Sequence, residues 1–338
     1  MPATLGIFSY VRNESRTLAK ALASIRPVAD ELVVIDTGST DDTLEIARQY
    51  ADRVVEWAWR DDFAAASNYG ASLLRSELIG KWDGDWVLTE SSRAVIHALK
   101  TNDFENRDLI EGHWINEFEP DLTPLLVNRK TFFYRRQQFA WTGQAHDYLV
   151  ARDRKRQALR PWFASHYFTP AEEPSWVGYY PKIRVYHHKD LQATERSCQT
   201  LRLIDTELKV LPPGPARERL IYFGLARSLF EEDYPRLERY LNLLSPVSRP
   251  VWALEYEALL LLNQKQFSRL GVFLEKLTAT SPQLDLIRAD YWALHDPERA
   301  KIHYRRFLTH YPFQPGQVNV NLKRFVEHPR NMLALLSR

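Results

Sequence analysis

Cysteine is almost missing from this 338-residue chain: Cys198 stands alone, so no disulfide can close within the molecule. Long apolar runs are missing as well. Ala258 to Leu262 is a five-residue apolar stretch inside an amphipathic segment, far short of the roughly 20 residues a membrane helix needs. The chain also lacks an excess of one charge, because 45 Lys and Arg oppose 43 Asp and Glu and leave a formal net charge of +2. Such a chain exerts no general attraction on nucleic acid, and any charged partner surface must be local. No charged leader followed by an apolar core opens the sequence, which predicts a cytoplasmic protein. Nor does a Gly-x-Gly-x-x-Gly follow the first apolar run, which removes a dinucleotide oxidoreductase from consideration.

The length exceeds what one hydrophobic core normally serves, so two domains are expected, and 45% hydrophobic residues are enough to fill them. Leu5 to Tyr10 reads as a strand, Leu18 to Ile25 as a helix, Glu31 to Asp36 as a second strand, Thr43 to Tyr50 as a helix and Arg53 to Glu56 as a third strand. This βαβαβ alternation predicts a mainly parallel sheet covered on both faces, with its ligand at the carboxyl ends of the strands. Phe63 to Leu78 reads as a further helix and Asp85 to Thr89 as a strand, while Leu109 to Leu149 mixes short strand patterns with aromatic-rich loops. From about Ser175 the strand patterns give way to helical periodicity, broken by Pro212-Pro213-Gly214-Pro215. The expected domains are therefore 1–174 and 175–338.

The helical part repeats. Tyr234, Phe267 and Ala300 are 33 residues apart, Leu241, Leu274 and Leu308 are 33 and 34 apart, and Pro246, Pro282 and Pro312 follow the second helix of each unit. The period and the helical hairpins resemble tetratricopeptide repeats, an irregular helical bundle being the alternative.

Three segments carry chemistry: Phe8-Ser-Tyr-Val-Arg-Asn-Glu14, Val33-Val-Ile-Asp-Thr-Gly-Ser-Thr-Asp-Asp-Thr43, and Asp61-Asp-Phe-Ala64 with Asn68. Together they resemble the family 2 glycosyltransferases of the GT-A fold, and in particular the branch that joins such a domain to tetratricopeptide-like helices and includes peptide S-glycosyltransferases. The resemblance implies an α/β GT-A domain followed by an all-α repeat domain. It also implies a nucleotide-sugar donor, a UDP-sugar above all. Asp36 would hydrogen-bond the uracil imide, with Val11, Asn13 and Glu14 lining base and ribose and Ser39 in the adjoining turn. Capping offers a plainer account of Asp36 and Ser39, and two acids at a helix start, Asp61 and Asp62, complement the helix dipole with no ligand at all.

The same resemblance leads one to expect an Asp-x-Asp element after a Trp-x-Leu strand, holding Mg²⁺ or Mn²⁺ against the diphosphate. After Asp85-Trp-Val-Leu88 the chain instead reads Thr89-Glu-Ser-Ser-Arg93, leaving Glu90 as a lone acid and Arg93 as a cation that replaces part of a metal's charge. Ser67 also stands before Asn68 where the family usually has arginine. The expected outcome is an altered metal dependence. Downstream, Trp141-Thr-Gly-Gln-Ala-His-Asp-Tyr-Leu149 resembles the family's Gly-x-Val-His-Glu-x-Leu element, which makes Asp147 the candidate base and His146 a residue that orients acceptor or diphosphate. His166, His187 and His188 lack the spacing of a metal site and read as structural. Arg152-Asp-Arg-Lys-Arg156 with Arg160 reads as a solvated loop, since no aromatic residues interleave to stack bases.

Two functions follow. One is a transferase that moves a sugar from a nucleotide-sugar to an acceptor, with the helical repeats recruiting a protein or peptide acceptor or a second copy of the chain. The other is a non-catalytic binding or scaffold protein built on a degenerate donor domain. Nucleotide binding separates them.

Overall fold

The computed structural model describes residues 3–155, 174–188, 194–246, 249–311, 320–321 and 323–337. The chain divides into two compact units, Met1–Arg196 and Ser197–Arg338.

In the first unit, β1 (Leu5–Val11) and β2 (Glu31–Asp36) are buried on both faces, as strands in the middle of a doubly covered parallel sheet must be. Between them, α1 (Leu18–Ile25) buries Leu18, Ala21, Leu22 and Ile25, the spacing of one helical face. Then follow α2 (Thr43–Tyr50), β3 (Arg53–Glu56), α3 (Phe63–Leu73), β4 (Leu78–Lys81), β5 (Trp86–Leu88), α4 (Glu90–Thr101), β6 (Leu109–Phe118), β7 (Pro124–Arg135) and β10 (Val177–His187). A separate hairpin joins β8 (Phe139–Thr142) to β9 (Tyr148–Ala151). The main sheet is ordered β3-β2-β1-β4-β7-β6-β10-β5. Strands β1 to β4 are mutually parallel where they pair, β7 is antiparallel to both β4 and β6, and β5 is antiparallel to β10. One core, with Leu22, Ala47 and Ile96 from the covering helices, lies on one face; a second, with Phe8, Ile35 and Ala71, lies on the other.

Two sequence expectations are corrected here. The helix expected over Phe63 to Leu78 ends at Leu73, and Leu78–Lys81 is a strand beside β1. Its Gly80 is a packing requirement, because a Cβ there would sit 2.7 Å from the Phe132 carbonyl and from the Phe133 ring. Strand structure also continues past residue 175, since β10 pairs in parallel with β6, and the units part between Arg196 and Ser197. Its alternating Tyr, Lys and Arg residues hide that strand from a periodicity count.

The second unit is helical: α5 (Thr194–Val210), α6 (Pro215–Phe230), α7 (Tyr234–Leu241), α8 (Val251–Asn263), α9 (Phe267–Lys276), α10 (Pro282–His295), α11 (Pro297–His310) and α12 (His328–Leu336). The repeat positions Tyr234 and Phe267 open α7 and α9, and Ala300 lies in the first turn of α11, as the period predicts. Proline near the starts of α6, α7, α10 and α11, where a missing N–H costs nothing, sharpens the turns. Glycine lets the helices close up: a Cβ at Gly224 would meet the Tyr240 ring at 2.6 Å, and one at Gly271 the Tyr291 hydroxyl at 2.3 Å. Pro312 lies outside the described residues. Among the described residues no helix is long and apolar enough to cross a membrane.

Candidate active site

The carboxyl ends of β1 and β2 are tied together by hydrogen bonds between their following loops. Thr37 donates through both its backbone N–H and its hydroxyl to the Val11 carbonyl, each at 2.9 Å. Asn13, in the left-handed region at φ 52, receives the Thr40 N–H on its side-chain oxygen at 2.8 Å, while its own N–H donates to the Ser39 hydroxyl at 3.0 Å. The Glu14 N–H donates to the Thr43 hydroxyl at 2.7 Å, and the Ser15 N–H to Asp41. Asp36 is buried and its carboxylate accepts the N–H groups of Gly38 and Ser39, so the turn account of this residue is realised. Val11, Asn13, Glu14, Asp36 and Ser39 are thus brought together. Against a burial penalty, hydrogen bonds involving Ser15 and Thr43 hold the Asp41 carboxyl down at about 2.

The next parallel strand, β4, ends in Lys81-Trp82-Asp83-Gly84-Asp85. An Asp-x-Asp sequence, Asp83-Gly84-Asp85, directly follows β4 and precedes the Thr89 to Arg93 segment. Trp82 donates its N–H to the Phe8 carbonyl, fixing the loop beside β1, and its buried indole packs beneath the sheet. Gly84 faces the β1 loop so closely that a Cβ would lie 3.0 Å from Glu14 Cγ. Asp85 sits 3.0 Å from His187 Nε2; the imidazole also contacts the Asn116 amide at 2.8 Å and stacks on Trp114. His187 is thus held between Asp85, Asn116 and Trp114 at this loop.

Beyond Leu88 the chain runs back toward the start of β1, where the Lys100 carbonyl accepts the Ala3 N–H. Glu90 is an exposed first-turn residue of α4, and Arg93 donates from Nε to the Ser24 carbonyl at 3.1 Å. Glu90 and Arg93 thus lie on α4, away from the Asp83-Gly84-Asp85 loop that follows β4. Asp62 caps α3 by accepting the Ala65 N–H at 2.8 Å, and Asn68 uses its amide group twice on the Trp141 backbone, so both are framework residues.

That framework brings the β8–β9 hairpin to β4. Asp147, with His146 before it in the connecting loop, places both carboxylate oxygens 3.0 Å from Lys81 Nζ and accepts the Ser67 hydroxyl at 2.5 Å. Both ion-pair partners are buried, with 13% and 9% of their side chains exposed. The Lys81 ammonium also lies 4.6 Å from the Tyr10 ring centroid, 5.3 Å from that of Trp141 and 3.9 Å from Asp83. Burial works against its charge, yet Asp147, Tyr10 and Asp83 raise it well above the ordinary lysine value. Lys130 on β7 lies over the Trp86 and Trp114 rings at 4.4 and 4.6 Å, and burial pushes its ammonium below the ordinary value against the pull of Asp83. Two cations and three carboxylates therefore meet at the end of β4. Lys81, which nothing local in the sequence marks, shares Asp147 with the Ser67 hydroxyl. Arg152 to Lys155 are exposed, as a solvated loop should be, whereas Arg156, Arg160 and His166 lie outside the described residues.

The unit is an α/β domain on a mixed, partly parallel sheet with acidic loops at adjoining strand ends, where such sheets hold ligands. Residues 7–151 match the Glycosyl transferase family 2 model, and the helices of the second unit lie beyond that match. TPR repeat-containing protein Synpcc7942_0270 of Synechococcus elongatus is 37% identical over 86 residues, 25% of this chain and 19% of that protein. The SPbeta prophage-derived glycosyltransferase SunS of Bacillus subtilis is 22% identical over 237 residues, 68% of this chain and 50% of that protein. The chain thus spans about a fifth and a half of these two relatives. The crystal structure of S. aureus TarS aligns with 98% of this chain and 55% of that chain, at 14% identity and a TM-score of 0.38.

Proposed function

We propose that the protein transfers a sugar from a UDP-sugar to a hydroxyl or thiol of a protein, peptide or other acceptor. The observation that carries this reading is the meeting of three strand-end loops, with Asp36 in one, Asn13 and Glu14 in another and Asp83-Gly84-Asp85 in the third. In this reading Asp36 and the β1 loop take the uridine. Asp83 and Asp85 suit a divalent cation that draws its remaining oxygens from diphosphate and water, because Mg²⁺ is commonly held through one or two carboxylates plus substrate phosphates. Among the described residues no cluster of three acidic, His or Cys side chains offers an all-protein cage. Such an ion supplies charge that stabilises the departing diphosphate. Lys81 and Lys130 offset part of the negative charge of Asp83, Asp85 and Asp147, and a divalent cation held by Asp83 and Asp85 would supply the rest.

In the transfer, the acceptor's lone pair forms the bond to the anomeric carbon, the bond from that carbon to the diphosphate oxygen breaks, and the diphosphate leaves with the electron pair. The acceptor proton passes to Asp147, whose carboxylate Lys81 holds in position at 3.0 Å. Release of UDP from UDP-sugars by the full chain, in the presence of candidate acceptors, tests the reading. Asp147→Asn should lower transfer by about 100-fold or more while UDP still binds; unchanged transfer removes the base assignment. The acid pair at β4 favours this enzyme over a scaffold built on a degenerate donor domain.

A further inference from the structure

The helical unit contains a cavity of about 300 Å³ lined by α9, α10 and α11. On α11, Arg299, His303 and Arg306 recur at the spacing of one helical face and line the cavity together with Arg288 of α10. Arg288 is compensated: it pairs with Asp285 at 2.8 Å and donates to the carbonyls of Leu277 and Ala279. Arg299 and Arg306 are exposed, and among the described residues neither has a carboxylate within ion-pair distance. The Arg299 guanidinium lies over the Trp292 ring, 3.4 Å from its centroid, which holds the planar fork in place. Burial first, then Arg299, Arg306 and Arg288, depress the His303 imidazole against the opposing pull of Asp285, which also lines the cavity. Phe307 adds an apolar wall.

We propose that this groove binds an acidic peptide segment, with a carboxylate between Arg299 and Arg306 and an apolar neighbour against Trp292 and Phe307. Guanidinium forks match carboxylates through paired hydrogen bonds, and stacking on an aromatic ring lowers the cost of immobilising Arg299. The aromatic wall distinguishes the site from a bare anion pocket, because it rewards a ligand that carries apolar surface next to its charge. The proposal concerns the helical unit alone and stands or falls independently of the donor site.

Fluorescence anisotropy with a labelled Glu-Leu-Glu-Glu-Leu-Glu peptide and its Gln-for-Glu counterpart, titrated with the full chain, reads the site directly. The acidic peptide should bind and the neutral one bind about tenfold or more weaker. Arg299→Glu and Arg306→Glu should each weaken binding by a similar factor, whereas Arg305→Glu, exposed on the same helix but outside the groove, should leave it nearly unchanged. The proposal is overturned if no acidic peptide binds, if the neutral peptide binds equally well, or if Arg305→Glu weakens binding as much as Arg306→Glu. It is also overturned if inorganic phosphate displaces the peptide more effectively than chloride of equal ionic strength, which would mark a small-anion site.

Discussion

The two halves of the candidate donor site are held by different physics. The loops after β1 and β2 are joined by short polar contacts among Asn13, Ser39, Thr40 and Thr43, many of them to backbone groups. The end of β4 is organised instead by charge, with Lys81, Lys130, Asp83, Asp85 and Asp147 drawn from β4, β7 and the β8–β9 hairpin. The first arrangement can lose a member and keep its shape, because each hydrogen bond is worth about 1 kcal/mol net. The second cannot: removing one partner of a buried pair leaves the other charge without compensation.

The largest break of that comparison is Asp147→Leu. It should lower stability by about 3 to 5 kcal/mol, seen as a fall in Tm, because Lys81 stays buried. Adding Lys81→Met should restore most of that stability with no recovery of transfer. If the double variant is as unstable as the single one, the loss comes from packing and not from the orphaned charge.

Asn13→Ala, on the other half, should cost about 1 kcal/mol or less in denaturant unfolding and act mainly on donor KM, since it removes the acceptor of the Thr40 N–H. An effect as large as that of Asp147→Leu would erase the contrast between the halves.

The smallest effect is acid sensitivity. The folded Asp41 carboxyl lies at about 2, below an unfolded value of about 3.9. Its contribution to stability is complete above about pH 4 and disappears as pH falls toward about 2. Asp41→Asn should flatten the stability profile in that window, with its cost fully present at neutral pH and absent near about pH 2; an unchanged acid limb would detach Asp41 from it.

The same contrast explains what the sequence made legible. The first two loops could be read because their residues follow recognisable strands within a few positions, and the repeat helices because their period survives in Tyr234, Phe267 and Ala300. The end of β4 was misread because Leu78–Lys81 is a four-residue strand containing glycine and lysine, too short and too polar to register by alternation. With Leu78 counted in the preceding helix and Asp85 in the following strand, Asp83 and Asp85 do not stand out as a pair. Lys81 with Asp147, and Asp85 with His187, are 66 and 102 residues apart, and only the sheet order brings them together.

The most direct test is calorimetric titration of the protein with UDP and UDP-sugars, with and without Mn²⁺, repeated for Asp83→Asn and for Glu90→Gln. UDP should bind in both conditions and more tightly with Mn²⁺, and Asp83→Asn should abolish the gain from Mn²⁺ while Glu90→Gln leaves it intact. No nucleotide binding, or a gain from Mn²⁺ that survives Asp83→Asn and vanishes in Glu90→Gln, would contradict the placement of the donor site at the end of β4.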